Sequence, residues 1–378
     1  MTELLVVAGE ASGDQHGAEL LAELRRRRPD VSCFGLGGDE LQREGLESLG
    51  HSAEVAVVGL FEALTVLGRA RQIFGRLLEE VERRGTRVAV LIDFPEFNLR
   101  LARRLHELGV KVLYYISPQL WAWRRGRVRT IARTVEELMV LFPFEAEFYA
   151  RHDVRATHVG HPLVERVPRL EQVWDRQAEL GAGKPFRVSL LPGSRVSEVE
   201  RLLPTLCAAA RQLASAIPVE LKLMRASTVD RDRIDRILAT SGVDVEVVEG
   251  DRFGPIADSH LALCASGTAT LEVGLLGTPM IVVYRVSRWT AFFARFLVDL
   301  PHYSLVNLVL EDRVVPELLQ DAGQPEAIAA KAQRLLTDRA GIDKMRRRLA
   351  GLRSRLGEPG ASGRAAEVVS RYLAEESP

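Results

Sequence analysis

Three cysteines in 378 residues, none in a C-x-x-C pair, leave neither a disulfide framework nor a zinc spacing. Cys33, Cys207 and Cys264 are scattered and mostly sit in apolar runs, so buried, reduced thiols of a cytosolic protein are expected. Neither sign of charge is in excess, with Lys and Arg totalling 51 and Asp and Glu totalling 51. A general nucleic-acid binder would carry a basic surplus, so nucleic acid is not an expected partner. No uninterrupted run approaches the ~18 apolar residues of a membrane-spanning helix. The opening MTELLVVAGEASGD lacks a basic n-region and its apolar run is short, so no signal peptide is expected. The usual phosphate and nucleophile signatures are also missing. There is no G-x-G-x-x-G and no G-x-S-x-G elbow. Gly183-Lys184 runs into proline, with Ala178 at the first glycine position of a Walker A loop. The D-x-D at Asp230–Asp232 opens an amphipathic helix and reads as first-turn acidic residues; no metal and no cofactor are expected.

What remains is ample for real cores: 47% of the residues are apolar, and the length suits two to three domains. Short β-branched runs alternate with helical patterns. The strand candidates are Leu4–Ala8, Ser32–Gly35, Val88–Ile92, Val112–Ile116, Leu138–Leu141 and Thr157–Val159, then Val188–Leu191, Glu220–Met224, Val245–Val248, Leu261–Cys264 and Met280–Val283. Gly17–Arg28, Asn98–Leu108, Val199–Ala216 and Thr268–Leu276 read as helices. Such alternation predicts an α/β protein with parallel sheets covered on both faces. It breaks at His161–Pro185. This places one domain at 1–165 and another at 186–350, followed by a helix at 351–378 that packs back on the first domain or on a partner subunit.

Ligands of such folds bind at the carboxyl ends of strands. In the second half, Leu190–Glu200 (LLPGSRVSEVE) runs from strand through a tight turn into a helix, aiming backbone N–H groups at an anion. Gly193 and Ser194 form the turn, and Arg195 adds a forked, permanent charge suited to phosphate. Ala265–Glu272 (ASGTATLE) repeats the arrangement. Ser266, Gly267 and Thr268 open a helix, and Glu272 lies one turn along, where it could accept both hydroxyls of a ribose or simply be a solvated residue behind a cap.

In the first half, Gly9–Asp14 (GEASGD) follows the first strand. Ser12 and Gly13 permit close approach of a ligand, and Asp14 reads as a cap of the following helix or a substrate group. Asp93–Asn98 (DFPEFN) puts Asp93, Glu96 and Asn98 at one strand end, a set suited to a general base and its orienting partners. Ser117–Arg129 carries Trp121 and Trp123 beside a basic run; they either stack a sugar or fill the floor of the site. His161 reads as structural. Val57–Leu67 and the aromatic face Trp289–Leu297 are either core or surfaces for lipid, with Arg69 and Arg71 rimming the former.

GEASGD, GGDELQREG, VVGLFEAL, DFPEFN, YYISPQLWAWRRGRV, LFPFEAEFY, VGHPLVE, LLPGSRVSEVE, ASGTATLE and YSLVNLV occur in this order, and together they resemble the lipid A disaccharide synthase family over nearly the whole chain. The resemblance implies the GT-B glycosyltransferase fold of two facing Rossmann-like domains. It also implies inverting transfer from UDP-2,3-diacylglucosamine to 2,3-diacylglucosamine 1-phosphate on the cytoplasmic side of the inner membrane, as a peripheral protein. A homodimer is left open. Matched by motif, Gly193, Ser194, Arg195, Ser266, Gly267, Thr268, Glu272 and Asn307 fall in donor nucleotide elements. Ser12, Gly13, Asp14, Glu62, Asn98, Gln119, Trp121 and Trp123 fall in acceptor elements. Glu96 stands where the family has the aspartate of D-F-N, and Val306 replaces the proline of S-L-P-N-L. The base is Glu96, or else Asp93. A UDP-N-acetylglucosamine 2-epimerase and a non-catalytic nucleotide-sugar sensor remain as alternatives.

Overall fold

The computed structural model describes residues 2–55, 63–121, 125–169, 185–284 and 302–376, without the side chains of 63–66, 125 and 321. The chain divides into two compact units, unit 1 comprising Met1–Pro162 with Leu356–Pro378 and unit 2 comprising Leu163–Arg355.

Unit 1 is built on seven strands, β1 (Thr2–Ala8), β2 (Val31–Gly37), β3 (Glu47–His51), β4 (Val88–Ile92), β5 (Lys111–Tyr115), β6 (Glu137–Val140) and β7 (Ala156–His158). They lie in the order β3-β2-β1-β4-β5-β6-β7, and every described pairing is parallel. Near-continuous apolar runs such as VAVLI in β4, buried at every position, are what a sheet covered on both faces demands. The strand expectation missed β3, whose sequence ESLGH is exposed or half-buried throughout and carries little apolar signal.

The helix Ala361–Glu375 packs on unit 1 against the helix Ala11–Arg27. It is tied there by the buried Glu137, which accepts the Tyr372 hydroxyl at 2.9 Å and the Arg371 guanidinium at 3.2 Å. Lys111 reaches Glu375 and Glu376 beyond it. The chain leaves unit 1 after Pro162 and returns at Leu356. Inside unit 1 these two crossing segments run together: the His161 N–H donates to the Leu356 carbonyl at 3.0 Å.

Unit 2 repeats the plan with β8 (Phe186–Leu191), β9 (Val219–Met224), β10 (Glu246–Val248), β11 (Leu261–Ala265), β12 (Met280–Tyr284) and β13 (Glu317–Leu319). Their order is β10-β9-β8-β11-β12-β13, again with parallel pairings. The three-residue β13 was not anticipated. It is too short to show a period. In both units the strand order reverses beside the first strand, between β1 and β4 in unit 1 and between β8 and β11 in unit 2. That reversal opens a crevice at the carboxyl ends of the strands, where α/β sheets bind ligands.

Candidate active site

Four of the loops singled out from sequence lie at the two reversals. In unit 2 these are the turns after β8 and β11. Gly193 takes φ +113°, Arg195 is the N-terminal cap residue of the helix Val196–Ala216, and its guanidinium pairs with Glu198 at 2.9 Å. The Thr228 hydroxyl donates to the Ser194 carbonyl at 2.6 Å and braces the turn. After β11, Gly267 at φ +149° and ψ −163° caps the helix Thr268–Leu275 without a side-chain capping bond. This is a backbone region open essentially to glycine alone. A Cβ there would meet nothing within 4 Å, so conformation rather than space selects the glycine. The Ser266 hydroxyl donates to the Tyr303 carbonyl at 2.9 Å, while Thr268 is exposed.

Glu272 is buried behind this turn, and the Arg252 guanidinium donates to it at 2.6 Å. Burial raises its pKa above the ordinary carboxylate value, opposed by Arg252 and, more weakly, by Arg166. Of the two sequence readings, a solvated glutamate is therefore excluded. Arg252 was missed by sequence reasoning, because it lies 20 residues upstream in an unremarkable D-R-F stretch.

Asn307, assigned to the nucleotide from sequence, is corrected by the structure. It is fully buried, its amide N–H groups donate to the Val315 carbonyl and to Glu317, and its oxygen accepts the Val314 and Val315 N–H groups. Every polar atom is spent bracing the chain around Glu317, which also accepts from Tyr303 and Ser304, so none is left for a ligand.

In unit 1 the helix Ala11–Arg27 begins three residues after β1, with Ser12 exposed in its first turn and Gly13 buried. Asp14 is another correction. It does not cap this helix. Its carboxylate, 5% exposed, accepts the N–H groups of Gly38, Glu40 and Leu41 and so caps the distant helix Asp39–Arg43.

The turn after β4 is the most strained backbone at either reversal made without glycine. Asp93 and Phe94 are consecutive left-handed residues at φ 46° and 48°, each costing about 1–3 kcal/mol. The Asp93 carbonyl accepts the Tyr114 hydroxyl at 2.5 Å and the Asn98 amide at 2.8 Å. The same amide reaches the Ile92 carbonyl at 3.2 Å, and Asn98 Oδ1 is buried with no hydrogen-bond partner. Gly9 is required opposite: a Cβ on it would sit 2.1 Å from the Phe94 ring. Pro95 and Glu96 then start the helix Pro95–Glu107. Glu96 is exposed and pairs with Arg127 at 2.9 Å, whereas Asp93 is half-buried. At the neighbouring strand end Ile116 is also left-handed, at φ 64°.

The loop after β5 resolves the tryptophan question for Trp121. Its ring is buried edge-on against Phe144, and its indole N–H donates to Glu145 at 3.0 Å. It fills the floor and offers no stacking face. Glu145, unmarked in the sequence reading, is fully enclosed and accepts the Ser117 hydroxyl, the Trp121 indole and the Phe142 N–H; burial pushes its carboxyl up to about 7. Gln119 remains exposed at this loop, and His161 is buried against Phe142 as the structural reading expected. Glu62, Trp123, Trp289–Leu297 and most of Val57–Leu67 lie outside the described residues. Among the described residues no group of three His, Cys, Asp or Glu could hold a metal, and no helix is long and apolar enough to cross a membrane.

Comparison with known proteins places these features in context. The model of the family described as lipid-A-disaccharide synthetase matches residues 4–368. The lipid-A-disaccharide synthase of Myxococcus xanthus is 46% identical over 372 residues, 98% of this chain and 97% of the relative. That of Anaeromyxobacter dehalogenans is 42% identical over 369 residues, 97% of this chain and 96% of the relative. Among solved structures, the calicheamicin glycosyltransferase CalG4 superposes with a TM-score of 0.61 at 18% identity, covering 100% of both chains.

Proposed function

The chain belongs to the lipid-A-disaccharide synthase family, glycosyltransferases of lipid A biosynthesis, and we propose the following division of its work. Unit 2 holds the UDP of UDP-2,3-diacylglucosamine, and unit 1 holds 2,3-diacylglucosamine 1-phosphate and supplies the base. The observation that carries this reading is the matched placement of loops at the two strand-order reversals. In unit 2 they offer helix N-termini, Arg195 and a buried carboxylate. In unit 1 they offer Ser12, Gly13, Asp93 and Glu96, with Gln119 on the loop after the neighbouring β5.

The turns Gly193–Arg195 and Ser266–Thr268 receive the diphosphate, because unpaired helix N–H groups and the Arg195 guanidinium favour concentrated negative charge. The ionised Glu272, held by Arg252, accepts the ribose hydroxyls. The acceptor 6-hydroxyl attacks the anomeric carbon from the face opposite UDP. One carbon–oxygen bond forms as the bond to diphosphate breaks, so configuration inverts, with an oxocarbenium-like state as in inverting glycosidases. The hydroxyl proton passes to Glu96, or else to Asp93. Arg195 and the helix N-termini stabilise the charge released on UDP. Fixing two bulky substrates in line contributes as much as the base does.

Diacylated substrates also imply work at a membrane surface, so we place the protein peripherally on the cytoplasmic face of the inner membrane. Incubation with UDP-diacylglucosamine, with and without the acyl-sugar phosphate, tests the transfer. UDP release only when acceptor is present is expected. Isomer formation without acceptor would indicate an epimerase, and binding without turnover a sensor. Fractionation of lipid-containing extracts tests the location, and protein found wholly apart from membranes would count against it.

A further inference from the structure

Phenylalanine would fill the place of Tyr114 in the sheet, fourth of the five residues of β5 (KVLYY), so the hydroxyl needs a reason. Tyr114 is fully buried, and its hydroxyl donates to the carbonyl of Asp93 at 2.5 Å. That carbonyl belongs to the first of two successive left-handed residues, neither of them glycine. The Asp93 N–H is already fixed to the Tyr115 carbonyl at 3.0 Å, which continues the β4–β5 ladder one residue beyond the strand. Peptide groups on both sides of Asp93 are thus anchored to consecutive residues of β5, one by backbone and one by side chain. The Asn98 amide supplies the remaining donor from the helix that follows. Burial and the neighbouring Asp93 keep the Tyr114 hydroxyl protonated far above neutrality, so the donor is present at every working pH.

We propose that Tyr114 is a positioning residue for the reaction: its hydroxyl holds the turn 93–98 in the left-handed geometry that sets Asp93 and Glu96 at the end of β4. This rests on the reading that the turn supplies the base. Without the hydroxyl, one of the two side-chain donors that over-determine the bend is gone, and the turn can relax toward ordinary backbone angles.

The test is Tyr114→Phe in the full-length protein, with kcat, both KM values, the pH profile of kcat, UDP affinity and the melting midpoint measured together. The expected result is a fall in kcat of about 10- to 100-fold, the scale of a small misplacement of a reacting group. The KM values and UDP affinity should stay within about twofold, since unit 2 is untouched, and the basic-group limb of the kcat profile should move. Unchanged kcat overturns the inference. So does a parallel loss of kcat, UDP affinity and thermal stability, or a chain that does not fold, because either outcome marks a purely structural hydroxyl. Asp93→Asn and Glu96→Gln measured alongside separate the two levels. If either is inactive while Tyr114→Phe is at parity, only the role of Tyr114 falls. If both retain full turnover, the base lies elsewhere and the two readings fall together.

Discussion

In unit 2 both turns at the strand-order reversal bend on glycine, Gly193 at φ +113° and Gly267 at φ +149°. In unit 1 the turn in the corresponding place after β4 bends on Asp93 and Phe94, with a buried, unpartnered amide oxygen beside them. On the proposed division of work, the contrast follows from what each turn has to present. A diphosphate is received by backbone N–H groups, and a residue without a side chain leaves them bare. A proton acceptor needs a side chain at the bend, so glycine cannot serve, and the backbone strain must be offset by neighbours such as Tyr114 and Asn98. Two buried carboxylates, one in each unit, differ likewise. Glu145 spends its oxygens on the Ser117 hydroxyl, the Trp121 indole and the Phe142 N–H, whereas Glu272 accepts from the Arg252 guanidinium.

The contrast breaks most visibly at the carboxylates of unit 1. Glu96→Gln should lower turnover by about 10²- to 10⁴-fold, the usual contribution of a general base, while isothermal titration finds UDP affinity unchanged. If Glu96→Gln stays active and Asp93→Asn does not, the base is the half-buried residue at the bend itself. Activity in both variants would remove the reason for a strained, side-chain-bearing turn.

Next in size is the effect of Glu145 on stability. Its carboxyl has an ordinary value of 4.5 and is pushed up to about 7 in the folded chain. Below pH 4.5 both states carry the proton and the contribution is at its most favourable. Between pH 4.5 and 7 the unfolded chain ionises first, so stability declines as pH rises, by on the order of 3 kcal/mol at most, and levels off above 7. Denaturant unfolding at pH 5 and pH 7.5 should show this decline in the parent and a smaller one in Glu145→Gln. UDP affinity should not move, because the group serves unit 1 alone.

Much of this was legible in the chain, and the parts that were not share a cause. Strand ends announce themselves by a local pattern, an apolar run closing on Gly, Pro, Ser or Asp, so the turns at 9–14, 93–98, 193–195 and 266–272 could be read directly. Roles set by distant partners could not. Asp14 looks like a local cap, but the N–H groups it satisfies belong to residues 38, 40 and 41. Asn307 looks like a ligand to the nucleotide, but residues 314, 315 and 317 consume it. Trp121 looks like a stacking platform until Glu145 and Phe144 enclose it. In each case the local sequence offers a polar or aromatic residue outward, and the folded chain uses it inward.

Glu272 tests the other half of the contrast. Glu272→Gln should weaken UDP about 10- to 100-fold, the loss of hydrogen bonds to a charged acceptor. In the parent, acidification should weaken UDP as well. Burial has raised the carboxyl above its ordinary value, so the proton returns closer to neutrality and occupies the oxygens that the ribose needs. The glutamine variant should lose that slope. A parent affinity flat across the acidic range would mean that Glu272 braces Arg252 and does not touch the ligand.

The smallest effect isolates backbone geometry. Gly267→Ala adds a methyl group into open space, so no clash contributes. Its cost is the angle alone, about 1–3 kcal/mol for an L-residue forced into that region. The melting midpoint should drop accordingly, and UDP should weaken as the turn relaxes away from the helix end. Gly193→Ala puts its Cβ 2.8 Å from the Glu198 carboxylate, so it should also disturb the Arg195–Glu198 pair and weaken UDP by more. If both alanine variants bind UDP as the parent does, the N–H groups of these turns are not the anion site, and glycine was placed there only for the bend.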